Sequence, residues 1–318
     1  MIASRPQPAG GGDPIVAPYA VRRLEFTFEL GTGEFGETGT NQILISGLRA
    51  IVHIDLANTP HPSAAYVRIF GLTLEHMNQL SRAGLSYKAR TDRVRITAGD
   101  SITGMQAVFF GEIIDAYPDM RVQPQVSFYI YAIPTYVAQL KPVAPTSFPG
   151  SVKSIDAITA LAKKAGLTVE DRGVHGVLAS PYFQGSAWDQ VVAAVRAADC
   201  FSAVDSVDNK LIVWPKDGSA SAPSNEVEVS PETGMIGYPT FQALNVIVKR
   251  LYDNKTIKMS DVVRVKSQLA AANGRFTVIR IDYDLSSEMP DGPWEMTMRC
   301  YPKDPIGGSP STNLPAAG

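Results

Sequence analysis

The sequence predicts a mainly β protein with an α/β insertion, in which two antiparallel β-barrel or sandwich domains flank a small α/β module. Apolar and polar residues alternate in short segments over 22–133 and again over 244–301, which is typical of half-buried strands. Between them, residues 151–215 repeat apolar residues at helical spacing. Ser230–Pro239 follows neither period and holds two glycines and two prolines, so we expect an irregular segment that leads into the last strands.

The length of 318 residues is too great for one ordinary core and predicts two or three domains. We place a first β domain at 21–135, the α/β module at 151–215 and a second β domain at 226–303. Small residues and proline dominate 1–20 and 304–318. We expect a flexible arm and a flexible tail there, because these segments cannot bury enough apolar surface to offset the entropy of ordering.

Short strands and one helix are predicted in the first β domain. Thr73 is placed to cap the helix and Gly84 is placed to end it. The apolar stripe of this helix consists of Leu74, Met77 and Leu80. The strands are predicted at 22–30, 43–45, 50–56, 65–69, 93–97, 106–116 and 126–133.

Two helices and a hairpin are predicted in the α/β module. Ser154 is placed to cap the first helix and Gly166 to end it. Ser186, with Asp189 three residues later, is close to a capping box and predicts the start of the second helix. The other predicted features are a proline-rich linker at 134–150, a β-hairpin at 201–214 and a loop at 216–226.

The second β domain faintly repeats an arrangement of the first. Glu112–Tyr117 and Ile279–Asp284 each contain Ile-Asp at a strand end, followed by a proline-containing loop and an alternating strand. If the domains are duplicates, this alignment places Asp115 near Asp282. Any two antiparallel hairpins share some of these features, so the spacing alone leaves duplication open. The strands of this domain are predicted at 244–251, 261–268, 275–283 and 293–301.

No catalytic, cofactor or metal site is predicted. Gly31–Gly36 matches a nucleotide-binding glycine pattern, but a strand rather than a helix follows it, so a hairpin turn is the better interpretation. The four histidines lack metal-ligand spacing, and no nucleophile-elbow motif is present. Cys200 and Cys300 are expected to be buried free thiols.

The composition favours protein partners over other kinds. A net charge of −2 disfavours a protein whose main function is to bind nucleic acid, which needs a basic surface, so no sequence-specific nucleic acid contact is expected. No apolar run is long enough to predict a membrane span. Charged residues make up only 19% of the chain, which favours a surface covered by partners; the alternative is simply a large β protein.

Four residues are candidate interface positions. Tyr129 and Tyr131 lie opposite the apolar face of a predicted strand, and exposed tyrosines are favoured at interfaces; the alternative is a strand buried on both faces. Asp282 and Asp284 flank Tyr283 and share a strand face. Such a pair is more often solvated, or paired with lysines across an interface, than used in acid–base catalysis.

Two phrases of the sequence resemble a known family. SPETGMIGYPTF, at 230–241, and PYFQGSAWDQV, at 181–191, resemble segments of the baseplate hub proteins of contractile-tailed bacteriophages. The resemblance covers about 21–301 and is shared with the N-terminal part of type VI secretion spike proteins. It implies two tube-like β domains on either side of the α/β module.

The resemblance also implies a structural role without enzymatic activity. Three copies, each with two similar β domains, would form a ring with pseudo-six-fold symmetry that joins the tail tube to the central spike. The implied partners are the other copies of a homotrimer, the central spike protein, a tail tube or tube-initiator protein, baseplate wedge proteins and, as a further candidate, the tape measure protein. The implied location is the virion, after assembly in the host cytoplasm.

Three alternatives remain open at this point. The first is a cell-wall hydrolase of a phage tail on a hub-like scaffold, the second a spike component like those of type VI secretion, and the third a soluble carbohydrate-binding β protein.

Overall fold

The computed structural model describes residues 20–36, 39–81, 91–121, 124–216, 226–253 and 257–303. The predicted arm and tail, the helix end at Gly84 and nearly all of the predicted loop 216–226 lie outside these residues. The helices are α1 Leu74–Leu80, α2 Tyr136–Leu140, α3 Ser154–Lys164 and α4 Ala187–Ala197.

The strands confirm a mainly β fold. They are β1 Arg22–Glu29, β2 Gln42–Ser46, β3 Ala50–Leu56, β4 Ala64–Phe70, β5 Arg93–Asp100, β6 Gly104–Asp119, β7 Ser127–Ile133, β8 Thr146–Ser147, β9 Ser151–Lys153, β10 Thr168–Asp171, β11 Val177–Ala179, β12 Tyr182–Phe183, β13 Cys200–Asp205, β14 Lys210–Pro215, β15 Val227–Val229, β16 Thr240–Gln242, β17 Asn245–Leu251, β18 Val262–Val265, β19 Gly274–Ser287 and β20 Trp294–Pro302.

The first β unit, β1 to β7, is an antiparallel arrangement in the order β3-β4-β7-β6-β5-β1-β2. The alternation of its sequence places Leu24, Phe26 and Phe28 of β1 in the core, each at most 1% exposed. The long strand β6 pairs with β5 along its first half and with β7 along its second half. A β-bulge at Ile114 separates the two halves.

The second β unit, β15 to β20, is built around the long strand β19. Its order is β16-β17-β20-β19, and β18 pairs with the first half of β19. These pairs are antiparallel, whereas β15 pairs parallel with β18. A β-bulge at Ile279 interrupts the ladder between β19 and β20.

The two β units share one thirteen-stranded sheet. The second half of β19, Ile281–Ser287, pairs antiparallel with the whole of β3, Ala50–Leu56, and we call this pairing the seam. One hydrophobic core runs through both units and includes Ile54 of β3 and Leu285 of β19, neither of them exposed. The seam is therefore a continuous part of the fold rather than a loose contact between separate domains.

The α/β module packs its three-stranded sheet between two helices and the large core. The strand order is β10-β14-β13, and β14 alternates between the two sides. Leu211 and Val213 face the core formed with α3 and α4, whereas Ile212 and Trp214 face the core of the β units. The capping box predicted at Ser186 and Asp189 is present at the start of α4.

Several local predictions are corrected by the structure. Helix α2 and strand β8 lie within 134–150, which was expected to be a linker. Ser154 is the first helical residue of α3 rather than its cap, because the chain enters the helix at Lys153 without a side-chain cap. Leu244 was predicted as the first residue of a strand, but it lies in the turn between β16 and β17 and is 60% exposed.

Candidate interface surface

One side of the sheet shared by the two β units lacks the apolar residues of the core. It extends over the neighbouring strands β17, β20, β19, β3, β4, β7 and β6, and we call it the outer face. Most of its side chains are half-buried or exposed, because successive residues of a strand point to opposite faces and the alternate residues point into the core. The four candidate interface residues predicted from the sequence all lie on this outer face.

The tyrosines form two pairs across β4, β7 and β6, one with stacked rings and one with tilted rings. Tyr131 lies opposite Tyr66 with ring centroids 5.0 Å apart, and Tyr129 lies opposite Tyr117, also at 5.0 Å. Burial raises the pKa of the Tyr129 and Tyr131 hydroxyls, and the neighbouring tyrosines reinforce this shift. These hydroxyls therefore stay protonated, and the outer face presents rigid aromatic surface that is suited to contacts with a partner.

The two aspartates lie beside the tyrosines, across the seam. Asp284 Oδ1 is 2.8 Å from His53 Nδ1, and the His53 ring is 6.0 Å from the Tyr66 ring. A continuous row of contacts therefore runs from Asp284 through His53 and Tyr66 to Tyr131. The sequence prediction found the two ends of this row and missed its middle, although the alternation of β4 could have indicated that Tyr66 faces outward.

Arg280 joins two acidic residues at the seam, Asp55 of β3 and Asp282 of β19. Its guanidinium donates to Asp55 Oδ2 at 2.7 Å and to Asp282 Oδ1 at 3.2 Å. Burial raises the pKa of Asp55, while the charge of Arg280 opposes that rise and the charge of Asp282 adds to it. Both carboxylates are thus engaged in a charge network that links β3 to β19, and Asp282 is not a free acid–base group.

The second half of β6 contributes an acidic end to the outer face. Asp119 Oδ1 and Oδ2 accept bonds from Arg121 Nε and Nη2, both at 2.8 Å, and Arg68 Nη2 lies 4.0 Å from Oδ2. The hydrogen bonds from Arg121 hold the pKa of Asp119 well below its usual range. Acidic and basic side chains therefore alternate on the outer face instead of forming a basic stripe.

A cleft of about 170 Å³ lies between the α/β module and the β units. Lys258 at its rim donates to Asp205 at 2.7 Å and to Asp208 at 2.9 Å. Hydrogen bonding to Lys258 lowers the pKa of Asp208. The lysine thus pairs with both carboxylates of the hairpin in the module, and the arrangement links the module to the second β unit.

The residues that the structure describes include neither a metal-binding cluster nor a membrane-spanning helix. No group of three or more histidine, cysteine or acidic residues there is placed to hold a metal ion. No helix in the same ranges is long and apolar enough to cross a membrane. Cys200 and Cys300 are buried free thiols, as predicted.

A family model described as baseplate hub gp41 matches residues 23–300. This chain belongs to the baseplate hub gp41 family. The resemblance read from the sequence is thereby confirmed, and the family gives the chain a structural role in the baseplate hub of a phage tail.

Solved structures share the fold of this hub protein. A 43 kDa tail protein of prophage MuSo2 from Shewanella oneidensis has a TM-score of 0.58 at 10% identity and covers 88% of this chain and 97% of its own. A tail protein from Neisseria meningitidis MC58 has a TM-score of 0.57 at 12% identity, with 86% and 96% coverage. A comparison with curated proteins found no significant match.

A third structure extends the fold beyond phage tails. It is an E. coli type VI secretion component described as structurally similar to the T4 tail proteins gp27 and gp5. Its TM-score is 0.52 at 7% identity, and the match covers 80% of this chain and 73% of that one. At such identities these structures establish the fold alone.

Proposed function

We propose that this hub protein assembles as a homotrimer, and that its ring presents six similar β units to the tail tube and a three-fold face to the central spike. The observation that supports this most directly is the strand order of the two β units. The order β4-β7-β6-β5 in the first unit matches β17-β20-β19-β18 in the second, and all of these neighbours are antiparallel. A duplicated unit is the direct way for a trimer to match a hexameric partner.

The bulges support the duplication and refine its alignment. The ladder between β6 and β7 has a bulge at Ile114, and the corresponding ladder between β19 and β20 has one at Ile279. The further bulge of β6, at Val108, lies in its ladder with β5. Matching the first two bulges aligns Asp115 with Arg280, two residues before the Asp282 that the sequence pattern had suggested. The domain boundaries remain a prediction. The two β units meet inside one sheet, where β3 pairs with β19.

We infer that the outer face lines the channel of the ring. Its tyrosines and paired charges run across both units without interruption, as a wall made of six such units requires. Because the outer face has no basic stripe, DNA in the channel would slide rather than bind tightly. Its acidic and basic residues are Asp55, Asp115, Asp119, Asp282, Asp284 and Glu295, with Arg68, Lys249, Arg280 and Arg299.

The remaining contacts follow from this placement. The central spike and the tail tube or its initiator would meet opposite rims of the ring, and wedge proteins would meet its circumference, with the tape measure protein as a further candidate in the channel. The similarity in fold to the type VI secretion component supports a spike partner. Assembly would occur in the host cytoplasm, before the hub enters the virion.

We further propose that the chain has no enzymatic activity of its own. The two carboxylates at the cleft of the module, Asp205 and Asp208, both form ion pairs with Lys258. This disfavours the hydrolase alternative, for which a free carboxylate pair would be needed. A peptidoglycan zymogram should show no clearing; clearing that a point change in 151–215 abolishes would contradict the proposal.

Solution mass tests the assembly. Light scattering on the full chain should give three times the chain mass of 34.2 kDa at concentrations well above micromolar. Negative-stain images of that species should show a ring with a central hole. A stable monomer under these conditions, with no ring in the images, would contradict an intrinsically trimeric hub.

A further inference from the structure

The long strands β6 and β19 change partners in the same way, but β6 lacks one neighbour. The first half of β19 pairs with β18, and its second half pairs with β3 across the seam. The first half of β6 likewise pairs with β5. Within the described parts of the chain, however, residues 115–119 of β6 pair with β7 alone. β6 therefore has an open edge at the position where β19 has the seam.

Strand β16, which corresponds to β3 in the second β unit, is also unpaired on one side in the part of the chain that the structure describes. β3 pairs antiparallel with β4, and β16 pairs antiparallel with β17, which is the counterpart of β4. β16 has no second partner strand among the residues that the structure covers. Each copy thus has two open strand edges that together could form a second seam. One is the edge of β6 in the first β unit, and the other is the edge of β16 in the second.

We propose that β16 of one copy pairs antiparallel with the open edge of β6 in the next copy, repeating between copies the seam that β3 and β19 form within a copy. The inference rests on the ring proposed above and deepens it by naming the strands that close the ring. Because the contact joins two different edges, it propagates head to tail and closes when the rotation per copy is one third of a turn.

The ladders specify the register of this pairing. Within the seam, Asp284 lies opposite His53 and Asp282 lies opposite Asp55. Counting from the bulges, Asp119 of β6 takes the place of Asp284, and Tyr117 takes the place of Asp282. Counting along the other ladders through β4 and β17, Thr240 takes the place of His53, and Gln242 that of Asp55. We therefore expect Asp119 opposite Thr240, and Tyr117 opposite Gln242.

The side chains at these edges fit the register. Phe241 corresponds to Ile54, which is fully buried at the seam, yet Phe241 is 52% exposed in the single chain. In the proposed pairing it lies on the core side, opposite Pro118. An exposed apolar edge strand invites association unless it is paired. Pro118 has no N–H to donate, which is typical of an edge strand and limits the ladder to a short one.

The polar contacts of the seam also have counterparts. In the seam Arg280 donates to Asp55. Their equivalents are Asp115 and Gln242, so the Gln242 amide can donate to the Asp115 carboxylate. Likewise, the Thr240 hydroxyl can donate to the Asp119 carboxylate. This contact would be the equivalent of the one between His53 and Asp284 within a copy. Donor and acceptor are thus matched at both positions.

Disulfide trapping tests the register. Residues directly opposite in an antiparallel ladder have Cα atoms about 4.5–5.5 Å apart, within the range of a disulfide. The variant Tyr117→Cys with Gln242→Cys should form cross-links that run as dimers and trimers, but no larger species, on a non-reducing gel. Each single variant should stay uncross-linked between these edges, since the native Cys200 and Cys300 are buried.

A matched control uses the other end of the sheet. Strand β2 is also an edge strand, and its Leu44 is 58% exposed. The variant Tyr117→Cys with Leu44→Cys should therefore give no trimer ladder. Efficient cross-linking of this control pair, or none by the Tyr117 and Gln242 pair, would overturn the proposed partner strands.

A charge at Phe241 provides a second measurement. The variant Phe241→Asp should weaken association of the full chain at least tenfold by light scattering, while its circular dichroism stays that of the parent. Val177→Asp, which changes a residue 64% exposed on the α/β module, should leave the mass unchanged. If Phe241→Asp remains a trimer and the variant Tyr117→Cys with Gln242→Cys gives no cross-link, the strand pairing is refuted but the ring is not. A parent chain that is monomeric and never cross-links refutes both.

Discussion

Removing Arg280 should weaken the seam between the two β units. Arg280 bonds Asp55 at 2.7 Å, and the side chains are 35% and 23% exposed. Fully exposed ion pairs contribute about 0–1 kcal/mol, and hydrogen bonds to charged groups up to about 3 kcal/mol. For this half-exposed pair we expect Arg280→Ala to lower the free energy of unfolding by about 1–2 kcal/mol at pH 7, measured by urea titration at one fixed protein concentration.

The loss should depend on pH in a defined direction. Burial already raises the pKa of Asp55 above its ordinary value of 3.8, and Arg280 is the largest influence opposing that rise. Without Arg280 the folded-state pKa rises further, so ionised Asp55 costs more stability at neutral pH. This cost disappears as the pH falls toward the ordinary value, because Asp55 is then protonated in the folded state. At pH 4 the loss should be about half that at pH 7 or less.

Two controls isolate the pair. In an Asp55→Asn background, Arg280→Ala should cost less and lose most of its pH dependence, since no carboxylate remains at that position. Lys216→Ala removes a pair whose partner, Asp199, has a side chain 83% exposed, and it should cost less than about 0.5 kcal/mol. The reasoning is refuted if Arg280→Ala costs no more than Lys216→Ala at pH 7, or if its cost is the same at both pH values.

Three further predictions concern the core and the α/β module. Trp214→Ala should lower the free energy of unfolding by about 3–5 kcal/mol in urea titrations, because this side chain is 1% exposed where the module meets the β units; a loss below about 1 kcal/mol would contradict that packing. Ser186→Ala removes the capping bond to the Asp189 amide and should cost about 1 kcal/mol, whereas an unchanged midpoint would show that the cap contributes nothing. Burial raises the pKa of Cys300 to about 12, so a thiol reagent at pH 8 should label it only after unfolding, and rapid labelling of the native chain would disagree.

The sequence predicted the elements of the fold better than their partners. Alternation identifies which face of a strand is buried, and the strands found by it in both β units are present. It does not identify which strand lies alongside, and His53 and Asp284, which meet at the seam, are 231 residues apart in sequence. Strand β16 was missed because all three of its residues are exposed and show no alternation.

The duplication could be recognised in the sequence but not aligned correctly. A bulge adds one residue to a strand without any mark in a pattern of period two, so Ile114 and Ile279 could not be identified as bulged. The shared Ile-Asp phrase therefore suggested an alignment that differs by two residues from the one that the ladders indicate. The four candidate interface residues lie on the face of their strands opposite the core, because that placement needs only the alternation of each strand; their role at an interface stays a prediction.

The unequal lengths of the two pairings explain why one holds a chain together and the other would hold copies together. The seam joins seven residue pairs on strands of the same chain, so it forms at any protein concentration. The proposed pairing between copies spans only the three residues of the short edge strand β16, and it must form from separate molecules, so it depends on concentration. A long open edge would capture any other strand, including those of unrelated proteins. A short edge is too weak to do so alone and becomes stable when three such contacts close a ring, because each contact is then held in place by the other two.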